Sequence, residues 1–118
     1  MVKNQILILG QKIHLTFGIN MQVIPLSPIA SQSFTVNLNQ QNCTINLYQK
    51  STGLYFDMTV NNNLCVQTML CLNLVGLIRE SYQGFNGQLV FIDTQGTDDP
   101  SYDELGSRYL LTYWTKTV

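Results

Sequence analysis

The chain has 118 residues, 45% of them apolar, which is enough for one core of ordinary domain size. Charged residues make up only 11%, less than half the usual share of about 25%, and the net charge is −1. The balance is polar and uncharged, with 11 Asn, 11 Gln, 11 Thr and 7 Ser, which excludes a charged disordered tail, a coiled coil and a membrane span and leaves no basic surplus to grip nucleic acid or anionic lipid.

Residues 1–20 differ in character from the remainder of the chain. They hold Lys3, Lys12 and the only histidine, His14. After Lys3 the apolar stretch Ile6-Leu7-Ile8-Leu9 stops at Gly10, too short for the h-region of a secretory signal. Synthesis in the cytosol is therefore the default expectation. Met21 opens a run, Met21-Gln22-Val23-Ile24-Pro25-Leu26, that would make a natural start of its own. Residues 1–20 read either as an extra N-terminal strand or arm, or as the product of a start assigned too early. We prefer the second.

From residue 33 onward the hydrophobic period is two. Phe34, Val36 and Leu38 share one face, with Ser33, Thr35 and Asn37 opposite. Asn39-Gln40-Gln41-Asn42 supplies a turn, after which Cys43, Ile45 and Leu47 continue the apolar phase. Lys50-Ser51-Thr52-Gly53 turns again, and Leu54, Phe56, Met58 and Val60 then alternate with polar residues. Asn61-Asn62-Asn63 suits a tight hairpin because Asn tolerates the left-handed region. A fourth strand, from Leu64 to about Cys71, alternates less well. Four strands joined by short turns predict an antiparallel meander.

Residues 72–86 are irregular. Leu89-Val90-Phe91-Ile92 is apolar at every position, which predicts a strand covered on both faces. The last strand is expected from about Ser107 to Thr115, also covered on both faces, because Leu110 and Trp114 fall outside the phase of Tyr109, Leu111 and Tyr113. The expected fold is all-β: a small antiparallel β-sandwich or β-barrel over residues 21–118, with one short helical turn in the loop before the last strand.

That loop, residues 93–106, holds five of the seven carboxylates: Asp93, Asp98, Asp99, Asp103 and Glu104. Asp99, Pro100 and Gly106 suggest an N-cap, a first-turn proline and a terminating glycine around a turn at about 100–105. Loops of this length often carry function. Clustered carboxylates suggest Ca²⁺ ligation, but the spacing departs from the EF-hand pattern; two of them as an acid–base pair is a further reading. A third makes the loop a contact surface for a partner subunit. A fourth has Asp93 and Asp99 satisfying backbone N–H groups while the rest are solvated.

Little else in the chain supports chemistry. Cys43, Cys65 and Cys71 lack zinc or disulfide-framework spacing, and Cys43 follows the core phase. The sequon Asn42-Cys43-Thr44 matters only in a secreted eukaryotic protein. One histidine is too little for a Ser/His/Asp or Cys/His system, and no phosphate-cradling glycine loop or other cofactor motif is present. Tyr48, Tyr55, Phe56, Phe91, Tyr109, Tyr113 and Trp114 could suggest base stacking, but Lys50, Arg79, Arg108 and Lys116 are too scattered for a basic groove. Few charges and strands rich in Thr, Asn and aromatics suit a surface covered by fixed neighbours. We therefore expect an obligate member of an assembly, with no enzyme activity and no cofactor.

Two elements carry a family resemblance: Tyr82-Gln83-Gly84-Phe85-Asn86-Gly87, and Asp93-Thr94-Gln95-Gly96 leading to Asp98-Asp99-Pro100-Ser101-Tyr102 and on to Leu105-Gly106-Ser107-Arg108-Tyr109. Val23-Ile24-Pro25-Leu26, Asn42 to Gln49, Leu54-Tyr55-Phe56-Asp57 and Cys71-Leu72 continue it. Over about residues 21–114 the chain resembles the small baseplate plug proteins of contractile-tailed bacteriophages. The resemblance implies a virion component at the central hub near the spike end of the tail tube, made in the bacterial cytoplasm and held by hub, spike or tail-tube proteins. A homotrimer is one arrangement it suggests, because phage hubs are commonly threefold, and tight nucleic-acid binding is not expected. No catalytic residues are implied.

The motif residues are then candidates for structure or contact: Tyr82, Gly84, Phe85, Gly87, Asp93, Gln95, Gly96, Asp98, Asp99, Pro100, Tyr102 and Arg108. Gly84 and Gly87 would allow tight turns flanking Phe85, an anchor for the core or an interface. Asp93 with Gln95-Gly96 would set the turn leaving a central strand. Arg108 is expected to order the loop by pairing with Asp98, Asp99 or Glu104. The rival reading, from another class, is a β-sandwich module binding carbohydrate with Ca²⁺ through residues 93–104.

Overall fold

A computed structural model describes residues 4–8, 11–15, 19–78 and 85–116. Among these are nine strands: β1 (Asn4–Ile8), β2 (Gln11–Leu15), β3 (Ile19–Ile24), β4 (Ser31–Leu38), β5 (Gln41–Lys50), β6 (Gly53–Val60), β7 (Asn63–Leu70), β8 (Gln88–Asp93) and β9 (Tyr109–Lys116). One 3-10 turn, Tyr102–Glu104, precedes β9. The fold is all-β and antiparallel, as the period-two pattern requires. β1 and β2 form a hairpin of their own, β4-β5-β6-β7 form a meander in chain order, and β3-β9-β8 form a second sheet with β9 in the middle.

The meander arises from local chemistry. Asn39 and Gln40, then Asn61 and Asn62, all take positive φ between 50° and 69°. Two consecutive left-handed residues make the two-residue turn whose twist matches a hairpin. The register then aligns Phe34 with Ile45, Ile45 with Met58 and Leu47 with Phe56, placing each apolar phase on one face. Against that face lies the β3-β9-β8 sheet, which contributes Ile24, Leu89, Phe91, Leu111 and Tyr113 to a common core. The result is a small β-sandwich.

The weak alternation expected after Leu64 has a structural cause. The β6–β7 register slips between Phe56 and Met58 and again between Met58 and Thr59. At these bulges the adjacent residues Cys65 and Val66 both turn inward, and Thr68 takes a φ of 54°. Asp57, inside the slip between Phe56 and Met58, clips that bulge, accepting the Thr68 N–H at 2.6 Å and the Tyr48 hydroxyl at 3.0 Å. Replacing Asp57 with Ala should cost about 1–3 kcal/mol of stability, as loss of these charge-assisted bonds predicts. Thermal denaturation measures it directly, and an unchanged midpoint would remove the clip.

One expectation needs correction. Val90 and Ile92 are only half-buried while Leu89, Phe91 and Asp93 are buried, so β8 is fully covered on one face. The reason is position: β8 lies at the edge of its sheet, where, among the described residues, the irregular segment 72–78 flanks it. Leu74 and Leu77 donate their N–H groups to Phe91 and Leu89, and the Gln88 amide exchanges two bonds of 2.8 Å with the Ile78 backbone. β9 is instead buried from Tyr109 to Tyr113 on both faces, because it has a strand on either side. Thr112 sits in this covered stretch with its hydroxyl satisfied by the Val90 carbonyl and the Trp114 indole N–H.

Candidate functional site: an arginine-centred loop between β8 and β9

The antiparallel register sets Asp93, the last residue of β8, opposite Tyr109, the first of β9. Arg108 immediately precedes that pair and reaches back to Asp93. Its Nε lies 2.8 Å from Asp93 Oδ1 and its Nη2 3.0 Å from Oδ2, a bidentate pairing. Nη2 also reaches Asp98 Oδ2 at 2.8 Å, and Nη1 reaches Glu104 Oε2 at 3.3 Å. The guanidinium lies against the Tyr109 ring, 5.0 Å from its centroid.

The three carboxylates are not equivalent. The Asp93 side chain is wholly buried, whereas those of Asp98 and Glu104 are 69% and 42% exposed. Only the first pairing is shielded from water, so it dominates; exposed pairs contribute little. Asp93 also accepts the N–H groups of Gln95 at 2.9 Å and Asp98 at 2.8 Å. The Arg108 guanidinium, helped by those two N–H groups, holds the Asp93 carboxyl well below the usual carboxylate range despite the opposing cost of burial. Asp93 correspondingly raises Arg108.

The loop is tied down elsewhere too. Asn73 accepts the Asp93 N–H on its side chain at 2.8 Å and donates its own N–H to Asp99 Oδ1 at 2.9 Å. Thr94 gives both its N–H and its hydroxyl to the Arg108 carbonyl. Gln49 of β5, in the opposite sheet, accepts the Tyr102 N–H at 3.1 Å. Pro100 and Leu105 are buried, leaving Gln95, Gly96, Thr97, Asp98, Asp99, Tyr102 and Asp103 exposed.

Several expected residues change role. Asp99 is not an N-cap: the turn is shorter, its cap position is Ser101 without a side-chain bond, and Asp99 serves Asn73 instead. Asp99 is likewise not a partner of Arg108, and Asp93, the principal partner, was not among the residues expected to pair with it. The Ser101 hydroxyl bonds Asp103 within the turn. Asp93 does hold the turn leaving its strand, although that strand is an edge one. Tyr82 and Gly84 lie outside the described residues. Phe85 packs edge-on against Tyr113 with centroids 5.8 Å apart. Gly87, at a φ of 123°, lets the backbone pass the Tyr113 ring, which a Cβ would meet at 2.4 Å. The Tyr113 hydroxyl donates to the Asn86 carbonyl, and Gln41 exchanges two more bonds with Asn86. These residues anchor the segment leading into β8, at the opposite end of that strand from the loop.

Sequence reasoning overlooked Asn73 and Gln49. Each left a faint trace: Asn73 interrupts an apolar run, and Gln49 occupies the inward phase of Ile45 and Leu47. A polar residue at a core phase needs a partner. Chemically, the cluster is closed. The guanidinium occupies the centre that a metal ion would need, and it neutralises the one buried carboxylate. What remains outward is a shaped, acidic surface.

The sequence profile of the family described as cyanophage baseplate Pam3 plug gp18 matches residues 21–116. The chain belongs to this baseplate plug family. No curated protein matches it. Membership makes the chain a component of the phage tail baseplate, in a structural family and not a family of enzymes. The plug match takes in both sheets of the sandwich and the whole Arg108 loop.

Proposed function

We propose that the chain plugs the central hub at the tube end of the baseplate, through protein–protein contacts and without catalysis. Residues 21–118 would form the plug domain and residues 1–20 an extension to it, made with the rest in the bacterial cytoplasm. The order of the Arg108 loop carries this reading. A surface already held by a buried ion pair loses little conformational freedom on docking. Exposed Tyr102 and Asp103 supply an aromatic anchor and a charge on that frame. A net charge of −1 and an acidic loop suit a body standing in the path of DNA, because neither retains phosphate.

The test is co-expression with the neighbouring hub, spike and tube proteins, followed by native mass spectrometry with and without Ca²⁺. A stoichiometric complex indifferent to calcium is expected. Tyr102→Ala with Asp103→Lys should weaken it by about tenfold or more at an unchanged melting temperature. A chain that ignores the tail proteins and takes up calcium would instead favour the ligand-binding reading, and full binding by the double variant would move the contact away from the loop.

A further inference from the structure

Sheet edges invite pairing unless something guards them. The β7 edge carries two bulges and the left-handed Thr68. The β8 edge is flanked by residues 72–78, and β1 runs close to β3. Among the described residues the β4 edge has no such protection. Ser31–Leu38 is a regular eight-residue strand with no bulge, no proline and no charged residue, and among the described residues no strand pairs with its outer side.

Register decides what that edge presents. The Gln49 N–H donates to the Ala30 carbonyl at 2.8 Å, so Ala30 and Gln49 are a hydrogen-bonded pair. By alternation Gln32, Phe34, Val36 and Leu38 direct their backbone groups at β5. Ser31, Ser33, Thr35 and Asn37 therefore direct theirs outward, and these four positions are symmetric about Phe34. The inward-phase side chains of Phe34 and Val36 are only partly buried, packed against the core from its open side.

We propose that a second copy of the chain pairs antiparallel along β4, about a two-fold axis at Phe34, joining the two β4–β7 sheets into one. In this register Ser31 faces Asn37 of the second copy and Ser33 faces its Thr35. Every outward N–H and C=O between them is used. Phe34 meets its own counterpart in a non-hydrogen-bonded pair, where the backbones approach most closely and aromatic pairs gain most. Charge favours a copy over a charged foreign strand: an uncharged edge offers no complement to such a partner, and pairing with itself brings no like charges together.

The inference does not rest on the plug reading, since it concerns the full-length chain alone. Sedimentation equilibrium at micromolar concentration should show a dimer. Ser33→Lys with Thr35→Lys sets lysines directly opposite one another twice and should weaken the dimer by about tenfold or more. Ser33→Lys with Thr35→Asp makes the same two positions complementary and should restore it. Both substituted positions lie on the exposed face, and circular dichroism checks that both variants fold. A wild-type monomer or trimer, or a dimer indifferent to the double lysine variant, would overturn the proposal. A monomer that binds a tail protein through this edge would also overturn it, by assigning the edge to another partner.

Discussion

Arg108→Ala should lower the thermal unfolding midpoint by roughly 10–20 °C and open residues 94–107 to protease. The reasoning starts from Asp93, whose side chain is fully buried and whose two oxygens accept the guanidinium. Removing the arginine strands a carboxylate away from water, which costs far more than an exposed pair would. It also frees Asp98 and Glu104 from their common partner. The double variant Arg108→Ala with Asp93→Asn should lose less than the sum of the single variants, because the stranded charge is gone.

The same pair sets an acid dependence. The folded-state carboxyl of Asp93 titrates well below its unfolded value, chiefly because of the Arg108 guanidinium. A depressed carboxylate contributes its stabilisation in full above the unfolded value of about 4, and loses it as pH falls below that toward the folded value. The deficit of Arg108→Ala relative to wild type should therefore be largest near neutrality and shrink below about pH 4. Melting curves from about pH 3 to 7 test both halves. An equal deficit at every pH would show that Arg108 stabilises through packing alone.

Gly106→Ala should cost about 2–4 kcal/mol. Gly106 has a φ of 87°, where any side chain is strained, and an added Cβ would lie 2.4 Å from the Leu26 carbonyl oxygen. That obstacle is backbone, in a segment bracketed by Pro25 and Pro28, so it cannot swing aside as a side-chain tip would. Gly106 also closes the turn by donating to the Tyr109 carbonyl at 3.0 Å. Ser107→Ala, one residue on and exposed, is the control and should stay within about 0.5 kcal/mol. Equal midpoints for the two variants would show that the β3 end and the loop are not in contact. If the loop is the docking surface, Gly106→Ala should also weaken capture by the tail proteins.

Much of the architecture was legible because it is local. Phe34, Val36 and Leu38, then Cys43, Ile45 and Leu47, declare strands by periodicity, since each segment faces the core alone. Asn61-Asn62 announces a turn because backbone preference belongs to the residue itself. The two motif elements, read together, were enough to suggest the plug family. Tertiary structure decided the rest. Arg108 meets Asp93, 15 positions away, only because β8 and β9 pair in a register that sets Asp93 beside Tyr109. Asp99 reads as an N-cap from its neighbours, yet Asn73 claims it across 26 positions. β8 and β9 are similarly apolar, but one is an edge and the other a centre, and only that placement buries β9 on both faces. Periodicity reports which way a side chain points, and sheet order and register determine what it meets there.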